Sequence, residues 1–273
     1  MKMHTNNKIL GSLLRGLIIA FSAVVEIFAI ALLFDKKITI DFFVLIFSLA
    51  LTVYSFDFIK EYSESLKVAN INIKYLYTIP ICFVIIFLTI SLIFGNFFSF
   101  LFSISILMFG LLYDLFFKKI TKLIPAFKDI FVALNWNMIL WLFLIYYGYN
   151  LNIGFFLLFI FVFLRDSVNA SFCDLKDFVS DGKQKLSTLV HVLGKEKLFL
   201  FLQVLNILSV ILLIIFSTFR LVPFLSLALI VPVIITSVLL IYSKSNKNYS
   251  PYFVDIEYYF WFLAVVIFTW VLK

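Results

Sequence analysis

The sequence predicts an all-α, polytopic membrane protein, folded as a bundle of nine transmembrane helices. Of its 273 residues, 64% are hydrophobic, and the mean hydropathy is +1.14. Charged residues make up 14% of the chain, whereas about 25% is usual in soluble domains. The apolar residues also occur in long runs, and a helix needs about 20 such residues to cross the hydrocarbon core of a bilayer.

Nine apolar windows follow one another along the chain, and each predicts one helix. They cover residues 11–34, 40–60, 74–95, 97–117, 127–147, 153–173, 198–218, 221–242 and 252–272. The turns after the third, fifth and seventh windows are very short. The connections after the second, fourth, sixth and eighth windows are longer and polar. We therefore expect a single integral-membrane domain over residues 1–273.

The reactive residue types exclude several kinds of site. Cys82 and Cys173 both lie in apolar segments, so we expect neither a disulfide framework nor a cysteine-based zinc site. His4 and His191 are the only histidines, which excludes a histidine-rich metal or haem site. The first apolar run is long enough to span a membrane, and no small-residue cleavage site follows it. We therefore expect a membrane helix there and not a cleaved signal peptide.

The basic residues are unevenly distributed between the two sets of connections. Seventeen of the 22 lie near the N-terminus or in the longer connections. They are Lys2, Lys8, Arg15, Lys60, Lys67, Lys74, Lys118, Lys119, Lys122, Lys128, Lys176, Lys183, Lys185, Lys195, Lys197, Lys244 and Lys247. The positive-inside rule then predicts a cell (inner) membrane protein with its N-terminus and longer connections in the cytoplasm. The net charge of +7 is explained by this topology and requires no nucleic-acid partner.

Two clusters of acidic residues follow long apolar runs on the predicted cytoplasmic side. They are Asp57, Glu61 and Glu64 after the second helix, and Asp174, Asp177 and Asp181 after the sixth. If each helix continues past the membrane, these spacings place each set on one helical face. Like charges stacked in this way repel one another, so each set favours a bound cation. Mg²⁺ is a suitable cation, because it combines one or two carboxylates with phosphate oxygens of a substrate.

The two acidic faces together predict a site for Mg²⁺ and a diphosphate. The expected metal ligands are Asp57, Glu61, Asp174, Asp177 and Asp181, and all of these except Asp174 are also the expected catalytic residues. The metal would neutralise the diphosphate as a C–O bond breaks. The alternative is that these acids are only solvated loop residues, and this alternative is stronger for the first cluster than for the second.

Several basic residues suit the binding of a diphosphate. Lys118 and Lys119 end the fourth predicted helix, where they could meet the diphosphate oxygens. They could also be ordinary positive-inside anchors. Arg15 lies inside the first apolar run, where a charge is costly unless it has a partner or a function. Arg165 and Asp166 are adjacent within the sixth helix, and we expect them to form a structural ion pair facing the interior of the bundle.

These features together resemble the UbiA family of intramembrane prenyltransferases over nearly the whole chain. The most specific part of the resemblance is the second motif, which reads Asp174, Asp177, Asp181, Lys183, Thr188, Leu193 and Gly194. A second stretch is similar to the family's helix-four connection and contains Tyr113, Lys118, Lys119, Thr121 and Pro125. The family has nine transmembrane helices with its acidic motifs after helices two and six. The resemblance therefore implies a UbiA-type bundle, with Tyr113, Lys118, Lys119 and Lys183 binding substrate. Arg15 joins this set because of its costly position inside an apolar run.

The first motif departs from the family pattern, which is Asn-x-x-Asp-x-x-x-Asp. Tyr54 stands where the family has Asn, and Glu61 stands where it has the last Asp. Glu61 can still bind Mg²⁺, although its longer side chain shifts the metal. The loss of Asn removes a polar ligand or orienting group. The departure therefore indicates a divergent member of the family.

The resemblance implies a Mg²⁺-dependent transfer of a prenyl group to a lipid-soluble or aromatic acceptor within the membrane. The prenyl diphosphate would lie with its head at the carboxylates and its tail among the Phe-rich helices. Two alternatives stay open: a membrane terpene cyclase of the same fold, and a catalytically inactive or transport protein. A transporter is disfavoured, because its ionisable residues usually lie near the bilayer midplane and it often has internal repeats. The sequence fixes neither the acceptor, nor the length of the prenyl chain, nor the oligomeric state.

Overall fold

The computed structural model describes residues 2–61, 73–246 and 255–272, and helices form most of this part of the chain. The α-helices, numbered along the chain, are α1 (Lys2–Leu33), α2 (Ile40–Glu61), α3 (Ile73–Leu76), α4 (Thr78–Phe94), α5 (Phe97–Leu112), α6 (Lys118–Ile120), α7 (Phe127–Tyr147), α8 (Ile153–Lys183), α9 (Leu189–Leu193), α10 (Lys195–Thr218), α11 (Ile230–Asn246) and α12 (Glu257–Val271). A π-helical turn, Tyr113–Phe117, precedes α6, and a 3-10 segment, Phe224–Leu229, precedes α11. The described residues contain no strand, so the all-α prediction is confirmed.

Six of the described helical segments are long and apolar enough to cross a membrane. They are Leu14–Leu33, Ile40–Lys60, Phe127–Tyr147, Ile153–Lys183, Lys195–Thr218 and Phe224–Asn246. Three shorter apolar helices, Thr78–Phe94, Phe97–Leu112 and Glu257–Val271, lie in the remaining predicted windows. Every window thus contains an apolar helix, and the chain is an integral membrane protein. The count of nine spans is not confirmed, because the described part has only six helices of spanning length and several additional short ones.

The chain forms two compact units. The first consists of Met1–Val24 and Ile38–Asp114, and the second consists of Val25–Lys37 and Leu115–Lys273. The expectation of one domain over residues 1–273 stays a prediction.

In the first unit, α2 packs along α4 and also contacts α5. A Cβ atom added to Gly110 of α5 would lie 2.8 Å from Cγ2 of Val53 on α2, so only glycine permits this approach. Ser91 of α4 and Ser103 of α5 share a hydrogen bond of 2.9 Å between their buried hydroxyls. Small residues and interhelical hydrogen bonds of this kind stabilise helix pairs in membranes, where apolar burial provides little driving force.

In the second unit, α8 contacts α7, α9 and α10, while α11 packs against α10 and α12. A cluster of buried apolar residues joins α8, α9, α10 and α11. Its members are Val168, Phe172, Leu175, Val190, Leu198, Phe199, Leu202 and Leu240. Since α9 has only five residues, its position depends on this packing and not on the intrinsic stability of so short a helix.

Helix α8 determines where the second acidic motif lies. It begins after Asn152, whose Oδ1 accepts a hydrogen bond of 2.9 Å from the backbone N–H of Phe155. It then runs for 31 residues, ten beyond the end of the predicted window at residue 173. The predicted end at residue 173 is therefore too early, and the helix continues through the three aspartates, as the one-face arrangement supposed.

Candidate functional site

The second acidic motif occupies one face of the last part of α8. Asp174, Asp177 and Asp181 all belong to this continuous helix, at spacings of three and four residues. Asp174 and Asp181 are buried, with 4% and 5% of their surface exposed, and Asp177 is half-buried. A buried carboxylate is costly unless a cation or several hydrogen-bond donors satisfy it. The structure therefore places the motif where a positive partner is required.

Lys128, in the first turn of α7, supplies a positive partner that the sequence did not reveal. Its Nζ lies 2.7 Å from Oδ1 of Asp174 and 2.9 Å from Oδ2 of Asp181. These are typical lengths of charge-assisted hydrogen bonds. The second oxygen of Asp174, Oδ2, is buried and has no hydrogen-bond partner. The sequence identifies Lys128 only as one of the positive-inside lysines, because nothing local relates it to residues about 50 positions away.

Backbone pairing between two segments brings Lys128 to α8. The N–H of Ala126 donates to the carbonyl of Ser187 at 2.8 Å, and the N–H of Ser187 donates to the carbonyl of Thr121 at 3.0 Å. Next to Lys128, Oδ2 of Asp129 accepts a hydrogen bond of 2.9 Å from the N–H of Leu189, the first residue of α9. The start of α7 is thus fixed to the chain that follows α8.

The end of the second motif has a structural role, centred on His191. Its Nε2–H donates to the carbonyl of Phe178 at 2.9 Å, which leaves Nδ1 to accept from the hydroxyl of Thr188 at 2.7 Å. The imidazole also stacks on the Phe178 ring, with centroids 4.6 Å apart. A Cβ atom on Gly182 would lie 3.2 Å from Nε2, so glycine keeps this position open. Thr188 and His191 therefore hold the chain against the end of α8 and do not belong to the acidic face.

The basic residues predicted to bind substrate are only partly described. Lys119 and Lys183 are exposed, and neither forms an ion pair within the described residues. Lys118 begins α6, and its side chain lies outside the described part. Tyr113 is half-buried at the start of the π-helical turn. Substrate binding by these residues stays a prediction.

The first acidic cluster and Arg15 lie in the first unit. Asp57 is exposed on α2, and Arg15 is half-buried on α1. Glu61 ends α2, but its side chain is not described, and Glu64 lies outside the described residues. Tyr54, which stands in place of the family's Asn, packs beside α1 with its Cβ 3.9 Å from the position of a Cβ on Gly16. Metal binding by Asp57 and Glu61 stays a prediction.

Arg165 and Asp166 face the interior, as expected, but the prediction that they pair with each other is wrong. Arg165 forms a bidentate ion pair with Glu257 of α12, with Nε–Oε1 and Nη2–Oε2 distances of 2.8 and 2.7 Å. Its Nη1 donates to Oδ1 of Asn206 on α10. Asp166 accepts a short hydrogen bond from the hydroxyl of Tyr258 instead. Neighbours in a helix point about 100° apart, so each side chain reaches a different helix.

This buried network contains two further acids, Glu257 and Glu26, that were not among the predicted site residues. Glu257 also accepts hydrogen bonds from Thr236 at 2.9 Å and from the indole of Trp261 at 3.1 Å. Glu26 of α1 is buried near Asp166 and Glu257, close enough for their charges to interact. Acids inside apolar segments are the signal that would have found these residues. Acidic residues therefore lie within the apolar helices as well as at their ends, which removes one reason for disfavouring a transporter.

The α8 face offers oxygen donors of the kind that Mg²⁺ prefers. Its donors are hard carboxylate oxygens, and the buried Oδ2 of Asp174 lacks a partner. Among the described residues, no three acidic, histidine or cysteine side chains converge as a complete metal site. This arrangement suits Mg²⁺, which needs only one or two carboxylates when substrate phosphates and water complete its octahedron.

Comparison with protein-family models and with characterised proteins gave no match. Solved structures do match over nearly the whole chain. A UbiA homologue from Archaeoglobus fulgidus, bound to GPP and Mg²⁺, is 14% identical with a TM-score of 0.64, covering 93% of this chain and 99% of that one. The same homologue bound to DMAPP and Mg²⁺ gives a TM-score of 0.62 at 14% identity, covering 94% and 99%.

A third similar structure is a digeranylgeranylglyceryl phosphate synthase. It is 17% identical with a TM-score of 0.57, and the match covers 95% of this chain and 98% of that one. At these identities the likeness shows the fold. The chain therefore has the intramembrane helical fold of the UbiA homologues, and the resemblance predicted from its sequence is confirmed at the level of the fold.

Proposed function

We propose that this protein is a divergent UbiA-type, Mg²⁺-dependent prenyltransferase. It moves a prenyl group from a prenyl diphosphate to a lipid-soluble or aromatic acceptor within the membrane. The observation that carries the proposal is the buried aspartate face of α8, held beside Lys128 on this fold. The Archaeoglobus homologue of the same fold was solved with GPP or DMAPP and Mg²⁺, which supports the choice of substrate class.

The aspartates and the basic residues have separate roles in this proposal. Asp177 and Asp181 hold Mg²⁺ and the diphosphate, with Asp174 in support, and Asp57 and Glu61 supply further metal ligands. Mg²⁺ supplies charge neutralisation for the leaving diphosphate. Arg15, Tyr113, Lys118, Lys119 and Lys183 bind the diphosphate oxygens. Helix α8 keeps its three carboxylates in a fixed order, so the site is largely organised before substrate binds.

The apolar character of the helices suits both substrates. A prenyl tail and a hydrophobic acceptor can enter from the bilayer without crossing water. Water is then excluded from the reacting carbon, which limits hydrolysis of the allylic cation. No Phe is assigned to the cation, because most of the 37 Phe side chains must serve packing or face lipid.

A specific observation favours one rival, a catalytically inactive protein of the same fold. Lys128 already bridges Asp174 and Asp181, and the first motif has Tyr54 and Glu61 in place of the family's residues. In this rival function, the acidic face is a structural ion-pair site and binds no substrate.

The deciding experiment uses the purified full-length protein in lipid nanodiscs. It is incubated with prenyl diphosphates of several lengths, with and without Mg²⁺ and candidate acceptors, and the products are identified by mass spectrometry. A prenylated acceptor that forms only with Mg²⁺ supports the proposal. A cyclic product formed without acceptor would identify a terpene cyclase. Absence of both products, together with absence of Mg²⁺-dependent diphosphate binding, would identify the inactive protein.

A further inference from the structure

We infer that Lys128 is a resident cation of the aspartate face, and that Mg²⁺ enters this face only together with a diphosphate. The diphosphate oxygens then receive the ammonium that Mg²⁺ displaces from Asp174 and Asp181. The inference rests on the proposed function, because it concerns the order of binding at the same site.

The first step is the position of the ammonium. Its nitrogen is 2.7 Å from one carboxylate and 2.9 Å from the other, so it bridges two side chains that lie seven residues apart on one helix. A metal ion shared by Asp174 and Asp181 would have to occupy this same bridging position. Lys128 and such a metal therefore compete for the two carboxylates.

The second step is the difference in mobility between the backbone and the side chain of Lys128. The backbone is held in place, because Ala126 and Asp129 on either side are hydrogen-bonded to Ser187 and Leu189. The side chain of Lys128 is more accessible than those of its partners: 19% of its side-chain surface is exposed, against 6% for the side chain of Asp174 and 7% for that of Asp181. A lysine has a flexible four-carbon stem with a compact charge. The ammonium can therefore swing while its helix stays in place.

The third step is the local charge. The three buried carboxylates of Asp129, Asp174 and Asp181 and one ammonium carry a net charge of −2, and the half-buried Asp177 adds one more negative charge. Mg²⁺ alone would have to push the ammonium away from two buried carboxylates, and the metal brings no acceptor for the three ammonium donors. A diphosphate brings several anionic oxygens, which satisfy the displaced ammonium and complete the metal coordination.

The consequence is a linkage between two ligands. Mg²⁺ should bind weakly without diphosphate and much more tightly with it, and the reverse must hold equally, since such coupling is reciprocal. This order avoids an enzyme loaded with metal but lacking substrate. It also makes Lys128 a positioning residue for the metal and a binding residue for the diphosphate.

The test measures Mn²⁺ binding by equilibrium dialysis of the full-length protein in nanodiscs, without diphosphate. Lys128→Met should bind Mn²⁺ at least about tenfold more tightly than the unmodified protein, within the usual range of coupling effects. Lys128→Arg keeps the positive charge and should bind Mn²⁺ as weakly as the unmodified protein does. The matched control is Lys176→Met, which removes an exposed lysine from the part of α8 that carries the aspartates. It should leave the Mn²⁺ affinity unchanged.

A second measurement follows radiolabelled pyrophosphate at saturating Mg²⁺. The unmodified protein should bind it, and Lys128→Met should bind it at least about tenfold less tightly. Thermal unfolding with and without Mn²⁺ separates misfolding from an altered site, since Mn²⁺ should stabilise Lys128→Met more than the unmodified protein. Unchanged Mn²⁺ affinity in a folded Lys128→Met variant would overturn the inference. If the unmodified protein bound no pyrophosphate in the presence of Mg²⁺, the proposed function would fail instead. Tighter Mn²⁺ binding by Lys128→Met would in that case still support Lys128 as the resident cation.

Discussion

Arg165 of α8 and Glu257 of α12 form a bidentate ion pair whose side chains are completely buried. The two residues lie 92 positions apart in the chain, so the pair joins the middle of the longest spanning helix to the last helix. Two further donors, the hydroxyl of Thr236 on α11 and the indole N–H of Trp261 on α12, also bind the Glu257 carboxylate. The guanidinium and the carboxylate thus satisfy each other within the apolar interior.

The first prediction concerns this pair. Glu257→Gln leaves the Arg165 charge buried without its counter-ion, and loss of one partner of a buried pair costs about 3–5 kcal/mol of unfolding free energy. Chemical unfolding in detergent measures the loss. The control is Glu196→Gln, which breaks an exposed pair with Lys244 and should change stability little. Equal denaturant concentrations at the midpoint of unfolding for Glu257→Gln and the unmodified protein would show that the pair does not stabilise the fold.

The second prediction separates two aspartates of the same motif. Asp177→Asn and Asp181→Asn should each lower Mg²⁺-dependent prenyl transfer roughly a hundredfold or more, because each removes charge from the site where the diphosphate leaves. Only Asp181→Asn should also lower the unfolding temperature, since Lys128 then loses a partner. Lys197→Ala, on the exposed surface of α10, is the control for both measurements. Full activity in the Asp177→Asn variant would remove this residue from the site.

The third prediction concerns the altered first motif. Asp57→Asn keeps the shape of an exposed side chain on α2 and removes its charge, so it should abolish turnover with little loss of folding. Glu61→Asp should be tolerated or should raise activity, because it moves toward the family pattern. Turnover and thermal unfolding are measured on the same preparations. Near-normal prenyl transfer by Asp57→Asn would mean that the first cluster is a solvated surface.

The fourth prediction concerns the close contact between α2 and α5. Gly110→Ala places a methyl group 2.8 Å from Val53, and overpacking of this kind typically costs about 1–3 kcal/mol. Val53→Ala makes room for the methyl group, so the double variant should be more stable than the sum of the two single effects. Gly16→Ala is the control, because its nearest neighbour would be an ordinary 3.9 Å away. Strict additivity of the two changes would argue against direct contact.

The fifth prediction concerns topology. The lysine asymmetry places the N-terminus in the cytoplasm, and nine spans would place the C-terminus on the opposite side. Full-length fusions to a reporter that is active only in the cytoplasm, one at each terminus, measure this directly. The N-terminal fusion should be active and the C-terminal fusion inactive. Activity at the C-terminus would require an even number of spans.

Hydropathy predicted the helices well, because a long apolar run leaves the backbone no alternative to a helix in lipid. The extension of α8 to Lys183 was only a supposition from the spacing of its aspartates, because the apolar window itself ends at residue 173. Lys128 could not be predicted as their partner. Its position depends on backbone pairing between Thr121, Ala126 and Ser187, and no local pattern reports such a contact.

The Arg165–Asp166 prediction was wrong for a related reason. Adjacent charges in a sequence suggest a pair, but side-chain direction in a helix separates neighbours and sends each to a different helix. Arg165 meets Glu257, and Asp166 meets Tyr258. Sequence proximity therefore indicated the correct kind of environment, a buried polar one, but not the correct partners.

Helix α8 carries both the arginine pair and the aspartate face on one uninterrupted rod. The angle about the helix axis between Arg165 and the aspartates is therefore set by the number of residues that separate them. One residue gained or lost between Asn169 and Asp174 would turn the aspartates by about 100° relative to Arg165 and shift them by about 1.5 Å. No loop lies between them to absorb such a change. Evolution can therefore vary the identity of side chains along this stretch much more freely than it can vary their number.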